Sequence, residues 1–92
     1  MKRPNAEESK RMGRIKELPC IVCRHAAPSD CHHITDCGRR LGHMFTLPLC
    51  YDCHRGDNGF SGKNRSAWDK SLSNQLELLK KVNRQLHEFY SS

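Results

Sequence analysis

The sequence predicts a small α+β domain that depends on a bound metal for its stability. Three observations lead there. The chain has 92 residues, of which 36% are hydrophobic and one is Trp, so it has little apolar surface to bury. A domain of this size hides only roughly 60–65% of its unfolded surface and usually needs a staple. Two Cys-x-x-Cys pairs, Cys20/Cys23 and Cys50/Cys53, offer one. Between them, short β-branched and aromatic runs replace the helix-forming stretches found at the two ends.

The first element is a helix over residues 6–18, "AEESKRMGRIKEL", rich in helix formers and stopped before Pro19. Met12, Ile15 and Leu18 give it a thin apolar face. "PCIVC" is a turn that carries the first cysteine pair. Residues 31–36, "CHHITD", and 43–49, "HMFTLPL", read as two short strands, with "CGRRLG" as the loop between them. A helix begins at "CYDCH" and is cut short by "RGDNGFSGKN", which holds three glycines. A further short helix is expected around "NRSAWDKSL", with Trp68 packed into the core. The last helix is the clearest. Asn74 suits its N-cap and Glu77 the third position, and Leu76, Leu79, Val82, Leu86 and Phe89 share one face.

A two-residue spacer lets one tight turn aim both sulfurs of a pair at a single ion, and two such turns complete a tetrahedral Zn²⁺ site. Cys20, Cys23, Cys50 and Cys53 are therefore the expected ligands. A closed four-thiolate site has no place for water, so its role is structural. A redox use of either pair is argued against by the duplication. Cys31 and Cys37 are read as reduced, partly buried small residues. The polar start "MKRPNAEESK" does not resemble a signal peptide, and no segment approaches the roughly 20 apolar residues needed to cross a bilayer. The expected setting is the cytoplasm, with no membrane contact and reduced thiols.

Zinc leaves the histidines unassigned. His32 and His33 are neighbours on a predicted strand, and His54 follows Cys53 directly. The zinc turns would clamp that strand to the helix carrying His54. Any one of these imidazoles could simply face solvent; three of them on elements pinned by one ion suggest a site. A neutral imidazole suits both metal ligation and proton abstraction near neutral pH. Phosphodiester hydrolysis needs both: a divalent ion to neutralise developing charge and a base to activate water. The net charge of +6, about +4 once four thiolates hold a Zn²⁺ ion, favours an anionic partner such as nucleic acid.

These residues resemble the HNH, or ββα-metal, endonucleases with paired cysteine turns, in "CIVC", "HHI" and "LCYDCH". The run "LPCIVC … CHHI … GRRLGHMFTLPLCYDCHRG … GF … AW … SNQLELL" is similar to the Ref-type, RecA-dependent nucleases of temperate phages and prophages, over about residues 15–82. The resemblance implies a single HNH domain over 1–92. Residues 1–14 would be an N-terminal arm and helix, 15–72 the zinc-bound ββα core, and 73–92 a C-terminal helix. It implies that His33 is the general base and that His32 and His54 hold the catalytic Mg²⁺ or Mn²⁺. Asn58 stands one helical turn beyond His54, where relatives often add a ligand.

The middle Asn of the HNH pattern falls near Phe45, so His43 or Asn58 is expected to share in orienting the base. Asp30, before the strand, is placed to hydrogen-bond a histidine, or else serves as a turn residue. Arg39, Arg40, Lys63 and Arg65 suit phosphate contacts that position DNA without reading its sequence. DNA is the expected partner, with a RecA filament as a second. The stretch "MKRPNAEESKR" stands where relatives can carry a long basic extension. Two rival readings are a non-catalytic zinc-bound DNA-binding module and a protein-interaction module using the last helix. The paired histidines favour the enzyme, and the oligomeric state stays open.

Overall fold

The computed structural model describes residues 2–90. Asn5 opens the first helix: its side chain accepts the Glu8 N–H at 2.8 Å, while the Glu8 carboxylate accepts the Asn5 N–H at 2.9 Å. This reciprocal cap starts α1, Ala6–Lys16, two residues shorter than the sequence predicts. Ile15, and Leu18 just beyond the helix, are buried in the core, while Met12 is only half-buried.

The first cysteine turn leads into β1, Asp30–His33, and the expected strand over 31–36 breaks there. Ile34 is fully buried at the junction, its N–H donating to the Phe45 carbonyl and its own carbonyl accepting from Leu41. Beyond it β2, Thr35–Asp36, and β3, Arg39–Arg40, form a separate exposed ribbon. Cys37 and Gly38 join them with φ of 51° and 79°, the pair of left-handed residues that a two-residue hairpin requires. Arg39 and Arg40 are thus on a strand rather than in a loop. The other expected strand begins only at β4, Thr46–Leu49, because residues 43–45 form a turn closed by the Phe45 N–H to the Gly42 carbonyl.

β1 and β4 pair antiparallel, with Asp30 opposite Leu49, Cys31 opposite Pro48, His32 opposite Leu47 and His33 opposite Thr46. All four residues of β4 are buried, because both flanking helices and the second cysteine turn pack against it. Pro48 is tolerated there because its backbone faces away from β1: its carbonyl accepts the Ile21 N–H at 2.9 Å. α2, Tyr51–His54, is one turn long and starts at the second cysteine pair. The chain then crosses it closely, and a Cβ added at Gly59 would lie 2.5 Å from the His54 carbonyl oxygen.

No separate helix forms over residues 64–71; the segment is turns and irregular chain, and α3 begins at Leu72. Side chains take the carbonyls a helix would use. Trp68 Nε1 donates to Asn58, Lys70 Nζ to Arg65 and Trp68, Asn74 Nδ2 to Asp69, and Gln75 Nε2 to Lys70. Trp68 packs half-buried against the core and edge-on to Phe60, with ring centroids 5.6 Å apart. α3 runs from Leu72 to Tyr90. Ser71 caps it by accepting the Asn74 N–H at 3.2 Å, so the cap lies three residues before Asn74, and Glu77 pairs with Lys80 instead. α3 buries Leu78, Leu79 and Val82 in the core together with Gln75. No helix among the described residues is long and apolar enough to cross a membrane.

One polar residue ties these layers together. Arg11 is 9% exposed; its Nε and one terminal nitrogen donate to the Thr46 hydroxyl and carbonyl, and the other donates to Asn83. One guanidinium thus links α1, β4 and α3. Removing it leaves the Thr46 carbonyl buried without this donor, so Arg11→Ala should cost about 2–3 kcal/mol in urea unfolding. A loss under about 0.5 kcal/mol, typical of a surface change, would contradict this role.

Candidate functional site

The sulfurs of Cys20, Cys23, Cys50 and Cys53 all lie within 4.8 Å of one another. Cys23 and Cys50, from the two turns, approach to 3.5 Å, close to the roughly 3.8 Å edge of a Zn–thiolate tetrahedron. Three of these residues are buried and Cys23 is at the surface. The first turn is held in shape by the Arg24 N–H to the Cys20 carbonyl, with Arg24 at φ 66°. This donor set is compatible with a structural zinc ion. It is also the only such convergence of three or more metal-binding side chains among the described residues. Cys31 and Cys37 stand apart from it. Burial pushes the Cys31 thiol up, while Cys37 sits exposed on the hairpin turn.

Because Cys53 is a core residue of α2, the next residue is aimed from that helix toward β1. His54 Nδ1 lies 3.0 Å from Asp30 Oδ2, and its ring meets the edge of His32 at 5.2 Å between centroids. Asp30 and His32 are two apart on β1 and so share a face. A carboxylate only accepts, so the His54 Nδ1–H donates to Asp30 and Nε2 is the ring nitrogen not engaged by it. His32 is 9% exposed, with Phe60 stacked on its ring at 4.7 Å and Gln75 Oε1 2.9 Å from its Nε2. Two imidazoles thus stand side by side, each backed by an oxygen acceptor.

His33 points from the other face of β1. Its Nε2 lies 3.0 Å from His43 Nδ1, and His43 Nε2 lies 2.8 Å from the Lys2 carbonyl. The carbonyl can only accept, so neutral His43 carries its proton on Nε2, accepts on Nδ1 from His33 and leaves His33 Nδ1 free. His43, Arg40, Lys2 and Arg3 help line a cleft of about 500 Å³. Arg39, Arg40, Lys63 and Arg65 are exposed, the last two on the turn-rich segment before α3. Asn58 does not join the histidines. Its amide donates to Asp52 at 2.8 Å, and its carbonyl receives the Trp68 indole N–H.

Burial pushes His32 down from an ordinary 6.5 to about 4, despite the opposing hydrogen bond to Gln75. Burial, then the positive charge of Arg40, lowers His33 as well. Both are neutral near pH 7, the form that binds metal or takes a proton. The shift also has a stability consequence. Below pH 6.5 the unfolded chain protonates His32, whereas the folded chain does so only near pH 4. This contribution is therefore complete above pH 6.5 and is lost as pH falls toward 4, by on the order of 3 kcal/mol. Urea unfolding across that range should show the decline, and His32→Ala should flatten it. An unchanged slope in the variant would contradict the assignment.

Sequence reasoning missed Gln75, Phe60 and the Lys2 carbonyl as members of these clusters. Gln75 had a readable signal: it is the one polar residue on the helical stripe it shares with Leu78, Leu79 and Val82. The Lys2 contact is to backbone and has none. A family model described as "Recombination enhancement, RecA-dependent nuclease" matches residues 4–90. No curated protein and no solved structure matches the chain.

Proposed function

The chain belongs to the recombination-enhancement, RecA-dependent nuclease family, and from that premise we propose that it is an HNH endonuclease hydrolysing DNA phosphodiester bonds. The observation that carries this reading is the pair His32 and His54, edge to face at 5.2 Å, with His54 directly following Cys53 of the four-cysteine cluster and His33 next to His32 in the chain on the opposite face of β1. β1, β4 and α2 are taken as the ββα-metal unit. One domain over 1–92 is proposed, with 1–14 as arm, 15–72 as core and 73–92 as closing helix; Met1 and Ser91–Ser92 lie outside the described residues.

Cys20, Cys23, Cys50 and Cys53 would hold Zn²⁺, a structural role that keeps α2 against β1. His32 and His54 would hold Mg²⁺ or Mn²⁺. Such an ion, when bound, neutralises charge developing on the scissile phosphate and its leaving oxygen. His33 takes the proton of the attacking water at Nδ1 as the new P–O bond forms and the bond to the leaving oxygen breaks. His43 accepts the His33 Nε2–H, holding that ring in register in place of the missing Asn. Asp30 orients His54. Asn58 could add an amide oxygen only after its side chain turns away from Asp52. Arg39, Arg40, Lys63 and Arg65 position the DNA through phosphates, joined by Lys2 and Arg3 along the cleft beside His43. A RecA filament is the proposed partner, and phage or prophage DNA recombination or repair the setting.

The test is incubation of purified protein with supercoiled plasmid and Mg²⁺ or Mn²⁺, with and without a RecA filament. Nicked or linear product is expected only with the divalent ion, and more of it with the filament. DNA binding that weakens with salt, without cleavage under any of these conditions, would instead identify a non-catalytic zinc-bound DNA-binding module.

A further inference from the structure

We propose that Gln75 is a positioning residue that decides which nitrogen of His32 faces the catalytic ion. The inference rests on the nuclease reading only in taking His32 as a ligand. The geometry is over-determined from the backbone outward. Gln75 Nε2 donates to the Lys70 carbonyl at 2.8 Å. A backbone carbonyl cannot donate, so the amide has one orientation and its Oε1 faces His32. That oxygen lies 2.9 Å from His32 Nε2 and can only accept. His32 Nε2 must therefore carry the proton, and Nδ1 is the nitrogen left for a cation. The opposite tautomer would set two lone pairs against each other across 2.9 Å.

Two further contacts stop the ring from turning over: Phe60 stacks on it at 4.7 Å, and His54 meets it at 5.2 Å. His54 is set the other way, Nδ1 toward Asp30 and Nε2 free. The pair thus offers one Nδ1 and one Nε2, each fixed by an oxygen behind it, the arrangement that raises ligand basicity at metal sites. The cost to folding points the same way. Gln75 is 4% exposed on the apolar face of α3, where burying an amide is less favourable than burying a leucine. The position of this amide, tied at both ends, is explained by the imidazole it orients.

The test uses the zinc-loaded full chain with Mn²⁺ as the probe. Two-bond ¹⁵N–¹H spectra of the imidazoles, recorded without Mn²⁺, should show His32 protonated at Nε2 in the parent. Gln75→Leu should give a mixture of tautomers. Calorimetric titration should show Mn²⁺ affinity weakened about 10–100-fold in Gln75→Leu, the usual cost of removing such a partner. The Mn²⁺ concentration for half-maximal cleavage should rise by the same factor. Gln75→Glu gives up the donor to the Lys70 carbonyl but keeps an oxygen acceptor toward His32 and should hold the parent tautomer; where the leucine variant fails to fold, the spectrum of the parent itself decides. An Nδ1-protonated His32 in the parent overturns the inference. So does a folded Gln75→Leu that binds Mn²⁺ like the parent while His32→Ala does not. If His32→Ala itself binds Mn²⁺ as the parent does, the ligand assignment of the nuclease reading fails, and this inference with it.

Discussion

His33→Ala is expected to cut supercoiled DNA about 10²–10⁴-fold more slowly than the parent, the usual contribution of a positioned general base. The reason lies in where the protons sit. The Lys2 carbonyl directs His43, and His43 directs His33, so that His33 Nδ1 is left open. Burial, with the positive charge of Arg40, keeps that ring neutral to a pH below its ordinary range. The acid limb of the rate profile should accordingly lie below pH 6.5, since His33 must be unprotonated to act. The variant should keep its zinc and its Mn²⁺ affinity, because His33 points to the other face of β1 from the His32–His54 pair. His32→Ala and His54→Ala should behave differently, losing Mn²⁺ affinity and recovering part of their activity at high metal. If His33→Ala cuts at the parent rate, the base is some other group.

Cys50→Ser should have the largest effect on stability. The core consists of a few buried aliphatics around a two-stranded sheet, and the cysteine cluster joins the segment after α1 to the start of α2. Structural zinc sites supply on the order of 10–16 kcal/mol of apparent binding energy, comparable with or greater than the whole stability of a small domain. Losing a ligand, or stripping the ion with a strong chelator, is expected to unfold the chain cooperatively. Circular dichroism would register the loss of α3, and elemental analysis the loss of one zinc per chain. A folded, zinc-free variant with an unchanged melting temperature would sink the proposal. His54→Ala provides the control: it removes the neighbouring side chain and should leave the zinc in place.

What could be read from the sequence was what is local. A Cys-x-x-Cys spacing is a property of one turn, and the position of His54 follows from its bond to Cys53. Trp68 packed against the core, and Leu79 and Val82 as buried positions of α3, followed from composition and period. The buried stripe, however, runs through Gln75 and Leu78 rather than through Leu76, Leu86 and Phe89: Leu76 and Leu86 are half-buried and Phe89 is exposed. The misses are of two kinds. At the start of α3 two good capping residues, Ser71 and Asn74, lie three apart, and the hydroxyl of Ser71 takes the Asn74 N–H. Over residues 64–71 helical propensity was overridden by side chains that occupy the carbonyls of Arg65, Trp68, Asp69 and Lys70. The contacts of Gln75 with His32 and of Lys2 with His43 span 43 and 41 residues. No spacing rule reaches that far, and both depend on how α3 and the N-terminal arm settle on the sheet.

Pro48 has an effect that reaches beyond the single chain. A two-stranded sheet has two open margins, each able to recruit a strand from another molecule. Along β4 that margin is closed at its midpoint: Pro48 has no N–H to offer, and its carbonyl is already taken by Ile21. Strand addition at this margin would have to break the Ile21 hydrogen bond and still leave a gap in the ladder. Association through β4, whether ordered or as amyloid-like clumping, is therefore disfavoured by the same residue that lets the first cysteine turn dock.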